Sequence, residues 1–349
     1  MKSLPSPKPV TFLAAAGLVA AGAFLPASLR AEPNAEMKKV LDAYAVLSPI
    51  PLENTTPAVA KLAPSISSAV KVVMTKEGKK APAFTGSTKD FKIDVGNGEE
   101  VDARAYIPAG DGPFPTVLYI HGGGWVIADL DVYDSSPRAL CELTKAVVIS
   151  TDYRQAPKNK FPTAHDDTFT VYKWVLQNAG TYKGDTKKVA VVGESAGGNM
   201  AAAICMQAKE KGIQLPVYQV LVYPVANYAF DSQSEKENEK TKPLSTEGLK
   251  WFYKYYLAQP EDGNNPRFSL VKAKDLSGLP PATIIAAEID PLRSEGMELA
   301  EKLKAAGVPV TYEMYKGVTH EFFGMGALID EAKQAEQLAA DGLKSAFAK

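Results

Sequence analysis

Histidine and cysteine are scarce in this chain of 349 residues, with 3 of the first and 2 of the second. Two cysteines exclude zinc-finger and disulfide-rich scaffolds. Three histidines mean that any imidazole-dependent chemistry must use His121, His165 or His320. An excess of one charge sign is also missing, since 39 Lys+Arg face 40 Asp+Glu. No basic stripe is available to neutralise phosphates, so nucleic acid is not an expected partner. Internal repeats and low-complexity tracts are absent as well. What is present is an apolar share of 46%, that of a globular chain able to bury a core.

The N-terminus reads as a targeting segment. Lys2 and Lys8 precede an apolar run over residues 10–25, and Ala31 before Glu32 is a small-residue cleavage point, so residues 1–31 are expected to be a signal peptide. The run is short for a membrane span, which needs about 20 residues. Export to the periplasm or medium follows, with no membrane span left after cleavage. Leu29 is bulky where a small residue is preferred, which keeps an uncleaved, membrane-tethered anchor as the alternative. No cysteine near the end of the run suggests lipoprotein attachment.

Residues 32–88 read as an N-terminal cap segment. Met37, Val40, Leu41, Tyr44 and Leu47 have helical spacing, and a proline-rich link leads to a second apolar stretch around residues 66–74. From there the pattern becomes β-rich runs at 91–95, 101–107, 116–120, 146–151, 188–192, 218–223, 282–287 and 309–315, separated by helix-length segments. The later runs are continuously apolar, as strands buried on both faces are. That predicts an α/β fold with a mostly parallel sheet of about eight strands flanked by helices. Its core is divided into 89–225 and 266–349 by an insertion at 226–265. The insertion opens with a charged run over 232–242, read as a solvated loop. It continues with Trp251, Phe252, Tyr253, Tyr255 and Tyr256, read as a helical lid. Packing within the lid and contact with a substrate predict the same aromatic residues there.

The chemistry concentrates at Gly193-Glu194-Ser195-Ala196-Gly197-Gly198, directly after the 188–192 strand and before a helical run. Small residues two positions on either side of a serine permit a sharp strand-to-helix turn that lifts the hydroxyl above the sheet edge. The helix N-terminus below supplies free N–H groups and partial positive charge. A second signal, His121-Gly122-Gly123-Gly124-Trp125, follows the 116–120 strand. Three consecutive glycines expose backbone N–H groups able to hold a developing oxyanion.

A serine is a weak nucleophile until an imidazole takes its proton and a carboxylate orients that imidazole. His121 is tied to the glycine turn, and His165 lies before the nucleophile in a stretch that reads as solvent-exposed. His320, in a loop after the last strand, and Asp290, in the loop after the 282–287 strand, share with Ser195 the C-terminal edge of a parallel sheet, where they can converge. The chain order Ser, Asp, His is that of α/β-hydrolases.

From about Met37 onward the chain resembles the hormone-sensitive-lipase-like (family IV) esterases of the α/β-hydrolase superfamily. Besides the glycine turn and the serine elbow, the resemblance rests on Asp152-Tyr153-Arg154-Gln155-Ala156-Pro157, Leu279-Pro280-Pro281-Ala282 and Asp290-Pro291-Leu292-Arg293-Ser294-Glu295-Gly296. It implies an α/β-hydrolase fold with a helical cap made jointly by the N-terminal segment and the insertion. It also implies Ser195 as nucleophile, His320 as base, Asp290 as its orienter, and an oxyanion hole from Gly123, Gly124 and Ala196. Trp125, Trp251 and Tyr255 are the candidate substrate contacts. Three departures stand out: Glu194 replaces a common Asp, Ser294 stands where a second acid is usual, and Glu321 follows the histidine where Gly is usual.

The expected activity is that of a serine carboxylesterase acting on small to medium acyl esters through an acyl-enzyme, without metal or cofactor. The same triad would also serve an amidase or deacetylase, and a non-catalytic small-molecule receptor is the alternative from another class. Cys141 and Cys205 fall on helices that the resemblance places on opposite faces of the sheet, so two buried free thiols are expected.

Overall fold

Continuous apolar strands need cover on both faces, and the computed structural model, which describes Met1, residues 31–48 and residues 50–349, shows where that cover comes from. Of the expected signal segment, residues 2–30 lie outside the described residues. Strands β1 (Ser87–Gly96), β2 (Glu99–Ile107), β3 (Phe114–Ile120), β4 (Val147–Thr151), β5 (Gly184–Glu194), β6 (Gln219–Val222), β7 (Ala282–Ile289) and β8 (Val310–Thr319) match the eight expected runs and form one sheet in the order β1-β2-β4-β3-β5-β6-β7-β8. β2 is antiparallel to β1 and β4, and every other pairing is parallel. Charged Lys89, Asp90 and Lys92 on the edge strand β1 discourage pairing with another chain.

Strand alternation divides the interior into two layers. Leu118, Ile120, Val191, Leu221 and Ile284 face one core, while Val117, Tyr119, Val192, Val220 and Ile285 face the other. Three N-terminal helices, α1 (Ala35–Leu47), α2 (Pro57–Leu62) and α3 (Ile66–Lys76), precede the sheet. Residues 57–76 are long and apolar enough to cross a membrane by length and composition. However, the backbone turns extended at Ala63, before Pro64, and the buried Ile66, Ala69 and Val73 pack in the protein core instead. Helix α4 (Ser135–Thr144) covers the second layer, and α5 (Thr163–Asn178) and α6 (Ala196–Glu210) the first. Cys141 on α4 and Cys205 on α6 therefore occupy different layers as buried free thiols.

Between β6 and β7 the insertion holds α7 (Gln233–Glu237) and α8 (Thr246–Tyr256). The charged run is not the solvated loop expected of it. Ser232 and Glu235 cap α7 reciprocally, Glu235 is buried, and Glu237 pairs with Arg293 at 2.5 Å. Leu249, Trp251, Phe252, Tyr253 and Tyr256 of α8 join the first layer, and the Trp251 indole donates to the Thr55 carbonyl at 2.9 Å, so the insertion and the N-terminal segment touch. The fold closes with α9 (Arg293–Ala305) on the first layer and α10 (Asp330–Phe347) on the second.

Candidate active site

At the C-terminal edge of β5 the chain turns into α6 within a single residue. Ser195 sits there with φ 57° and ψ −119°, a conformation side chains rarely adopt. The turn is possible because its flanks carry no Cβ. One at Gly193 would lie 2.1 Å from the Gly197 carbonyl oxygen, and one at Gly197 would lie 2.0 Å from that of Ile120. The strained elbow and its two glycines are therefore a single unit.

The loops after β7 and β8 bring two further groups to this elbow. His320 Nε2 lies 3.0 Å from Ser195 Oγ, and His320 Nδ1 lies 2.7 Å from Asp290 Oδ2. All three are buried, with Asp290 fully so. Asp290 Oδ1 also accepts from the Leu292 N–H at 2.8 Å, which fixes the carboxylate's direction. Burial pulls the His320 imidazole down, but the charge and hydrogen bond of Asp290, followed by the charges of Glu321 and Glu194, hold it above the ordinary histidine value.

The glycine turn faces the serine. Gly122 abuts it so closely that a Cβ there would be 3.1 Å from Ser195 Cβ. Among the described residues no group accepts from the N–H groups of Gly123 or Gly124, nor from that of Ala196 at the first position of α6. His121 braces the turn through the Gly122 carbonyl at 2.8 Å and Asp152 at 2.9 Å, while Tyr153 stacks on its ring and donates to Gly122. The Asp-Tyr-Arg segment thus supports the turn, and its Arg154 is held in a fork by Asp167.

His165 is not solvent-exposed. It is buried within α5 between Tyr256 Oη at 2.7 Å and Asn199 Oδ1 at 2.8 Å, with no hydrogen bond to Ser195, and burial lowers its pKa to about 4. A cavity of about 1670 Å³ opens beside Ser195 and His320, lined among others by Gly123, Gly124, Trp125, Phe252 and Tyr253. Of the three candidate substrate contacts, only Trp125 reaches it. Trp251 is turned toward Thr55, and Tyr255 packs edge-on against Trp251 at 4.8 Å. Phe252 and Tyr253 occupy the facing side of α8 instead, and a Cβ on Gly124 would be 2.2 Å from the Phe252 ring.

Beneath the serine lies a group of buried acids and phenols. Glu194 accepts from Tyr119 at 2.5 Å and from Tyr223, and burial together with the Glu321 charge pushes its carboxyl up to about 8. Tyr133 donates to Glu321 at 2.5 Å, and the carboxyl of Glu321 stands 3.9 Å from His320 Nε2. Tyr119, Tyr133 and Tyr223 belong to no motif, and only proximity in the fold reveals them. Where a second acid is usual, Ser294 and Ser234 exchange N–H to Oγ hydrogen bonds at 3.2 and 3.0 Å, and Ser234 Oγ donates to the Pro291 carbonyl at 2.7 Å. The cap insertion thereby holds the Asp290 loop.

Residues 117–324 match the α/β-hydrolase-fold family. The chain is 34% identical over 259 residues to an ethyl acetate hydrolase of Pseudomonas putida, covering 73% of this chain and 81% of that protein. It is 36% identical over 240 residues to an arylesterase of Saccharolobus solfataricus, covering 68% and 78% respectively. The solved structure of an esterase from Pyrobaculum calidifontis superimposes with a TM-score of 0.78 at 33% identity, covering 86% of this chain and 97% of that one.

Proposed function

The chain belongs to the hormone-sensitive-lipase-like esterases of the α/β-hydrolase superfamily and is a carboxylic ester hydrolase, and from that premise we propose that Ser195, His320 and Asp290 carry the reaction. The observation behind this assignment is the unbroken chain of hydrogen bonds from Ser195 Oγ through the imidazole to Asp290. His320 Nε2 takes the serine proton as Oγ attacks the ester carbonyl carbon. The oxyanion is received by the unpaired N–H groups of Gly123, Gly124 and Ala196. His320 then passes its proton to the departing alcohol, leaving an acyl-enzyme. Water, deprotonated by the same imidazole, attacks the acyl carbon and restores the serine. A burst of nitrophenol from 4-nitrophenyl acetate, with amplitude equal to enzyme concentration and an acetyl group on the Ser195 peptide, tests this sequence. Linear release without a burst or adduct would count against an accumulating acyl-enzyme.

The substrates we propose are esters of small to medium acyl chains, since Phe252 stands directly over the glycine turn and shortens the space beside the oxyanion site. Phe252→Ala should raise kcat/KM for an octanoyl ester relative to an acetyl ester by about 10-fold, the scale of a few methylenes in an apolar pocket. Trp251→Ala removes packing between the two cap segments, so it should lower Tm and leave that ratio alone. An unchanged ratio in Phe252→Ala would place the acyl chain elsewhere.

His320 must be neutral to act as base, so activity should fall as pH drops through its pKa, which is held above the usual value. The groups facing it are Asp290, Glu321, Glu194 and the Tyr223 ring at 4.4 Å. Glu321→Gly removes one negative charge 3.9 Å from Nε2. The acid limb of kcat/KM should therefore move to lower pH by a few tenths of a unit or more. An unmoved limb at low salt in an active variant would show that the Glu321 charge does not reach the imidazole.

Export is the localisation we propose, supported by the charge and apolar pattern of residues 1–31. A mature protein beginning at Glu32 outside the cytoplasm is the expected finding, and a full-length membrane-bound form would favour the anchor.

A further inference from the structure

Glu321 is used by the mechanism only as a neighbour of His320, yet its position suggests a second task. Its backbone has φ 70°, the left-handed region that glycine occupies freely and other residues only under strain. Tyr133 holds the side chain there through Oε1. Among the described residues no donor reaches Oε2. The side chain keeps 21% of its surface open and lines the cavity that holds Ser195 and His320. A mostly buried carboxyl with one oxygen committed and the other open to a substrate cavity is a ready acceptor.

Its location tells which part of the substrate it meets. The departing oxygen takes its proton from His320 Nε2 and must come within about 3 Å of that atom. Glu321 Oε1, the oxygen that Tyr133 holds, is 3.9 Å from the same nitrogen, so it lies within about 7 Å of the departing oxygen, and the open Oε2 sits on the same carboxyl carbon. A hydroxyl or ammonium group two carbons along the alcohol chain spans that gap. Resting on the esterase assignment above, we propose that Glu321 is a specificity residue for the alcohol part of the ester. It accepts a hydrogen bond from a donor on that part, so the preferred substrates are esters of hydroxylated or amine-bearing alcohols rather than of plain alkanols.

Two matched pairs of acetates test this: 2-hydroxyethyl against propyl acetate, and 2-(dimethylamino)ethyl against 3-methylbutyl acetate at neutral pH, where the amine is protonated. In each pair the donor is exchanged for a methyl or methine of similar shape. Glu321→Gln keeps an oxygen for Tyr133 but turns an N–H group toward the substrate. The donor-to-alkyl ratio of kcat/KM should fall about 10- to 100-fold, the scale of one charge-assisted hydrogen bond. Glu321→Gly, unstrained at this φ, should give a fall in the same direction and serves if the glutamine variant does not fold. A fall in either pair supports the proposal and identifies the donor accepted. Ratios unchanged within about 2-fold in both pairs overturn it, as does loss of all four hydrolyses in both variants. The esterase assignment is checked separately with 4-nitrophenyl acetate and Ser195→Ala, so its failure and that of the Glu321 proposal give different results.

Discussion

Ser195→Ala, His320→Ala and Asp290→Asn are each expected to lower kcat on a chromogenic acetyl ester by on the order of 10³ to 10⁶ while the protein stays folded. The size follows from the geometry. The serine, imidazole and carboxylate are joined by hydrogen bonds of 3.0 and 2.7 Å, and in the proposed reaction the imidazole takes the serine proton while the carboxylate orients it, so removing any member disables the transfer. Asp290→Asn keeps the shape but favours the imidazole tautomer that cannot accept the serine proton at Nε2. Double variants should be no slower than the slowest single one, because a broken unit cannot be broken again. Residual turnover comes from the N–H groups of the glycine turn and from Ala196, which all three variants leave in place. Circular dichroism spectra matching the parent, alongside the rate measurements, are the required control. Activity above a tenth of the parent in Ser195→Ala would sink the assignment.

The elements that carry this unit were legible because they depend on local rules. β-rich runs locate all eight strands, and the continuously apolar ones, such as β4, β6 and β7, are those buried on both faces. The glycines around Ser195 are required by backbone contacts of about 2 Å within the motif itself. What was not legible depended on partners far away in the chain. The charged run at 232–242 carries its own capping pair, Ser232 and Glu235, but that the run is partly buried depends on distant contacts, such as that of Glu237 with Arg293. On α8 the aromatic residues spread over a wide arc opposite the exposed Glu247, Lys250 and Lys254, so helical periodicity alone does not tell which of them faces the cavity. Phe252 and Tyr253 do so, while the Trp251 indole is held by Thr55, some 200 residues earlier in the chain. His165 shows the same limit most clearly, since its polar neighbours Asp166 and Asp167 suggest an exposed turn while its own ring points inward to α6 and the cap.

Replacing that buried ring should have a large effect on stability. His165 Nε2 faces two acceptors, Asn199 Oδ1 at 2.8 Å and the Arg267 carbonyl at 3.1 Å, so it must carry the proton. Nδ1 then accepts from the Tyr256 hydroxyl at 2.7 Å. Asn199 continues the network by donating to the Val225 and Phe268 carbonyls at 2.8 and 2.7 Å. One neutral imidazole thus ties α5 to α6, to the loop after β6 and to the base of the cap. His165→Ala leaves a void and strands buried polar atoms on Asn199 and Tyr256, which should cost about 3 to 5 kcal/mol. The folded fraction should nevertheless keep a kcat within a few-fold of the parent, because the ring lies outside the proton-transfer unit. The pH dependence provides a second check. Burial lowers the folded pKa to about 4 from 6.5, so on acidification the unfolded chain binds a proton that the folded one refuses. Stability from this group is present above pH 6.5 and is lost between there and pH 4, by roughly 3 kcal/mol in all. Glu194 and Glu336, pushed up to about 8 and about 7 mainly by burial, act in the opposite sense, so the parent curve alone mixes these effects. Subtracting the urea-unfolding free energies of His165→Ala from those of the parent at each pH isolates the histidine. The difference should shrink steadily from pH 7 to pH 4, and a constant difference would mean that His165 is not held neutral by its surroundings.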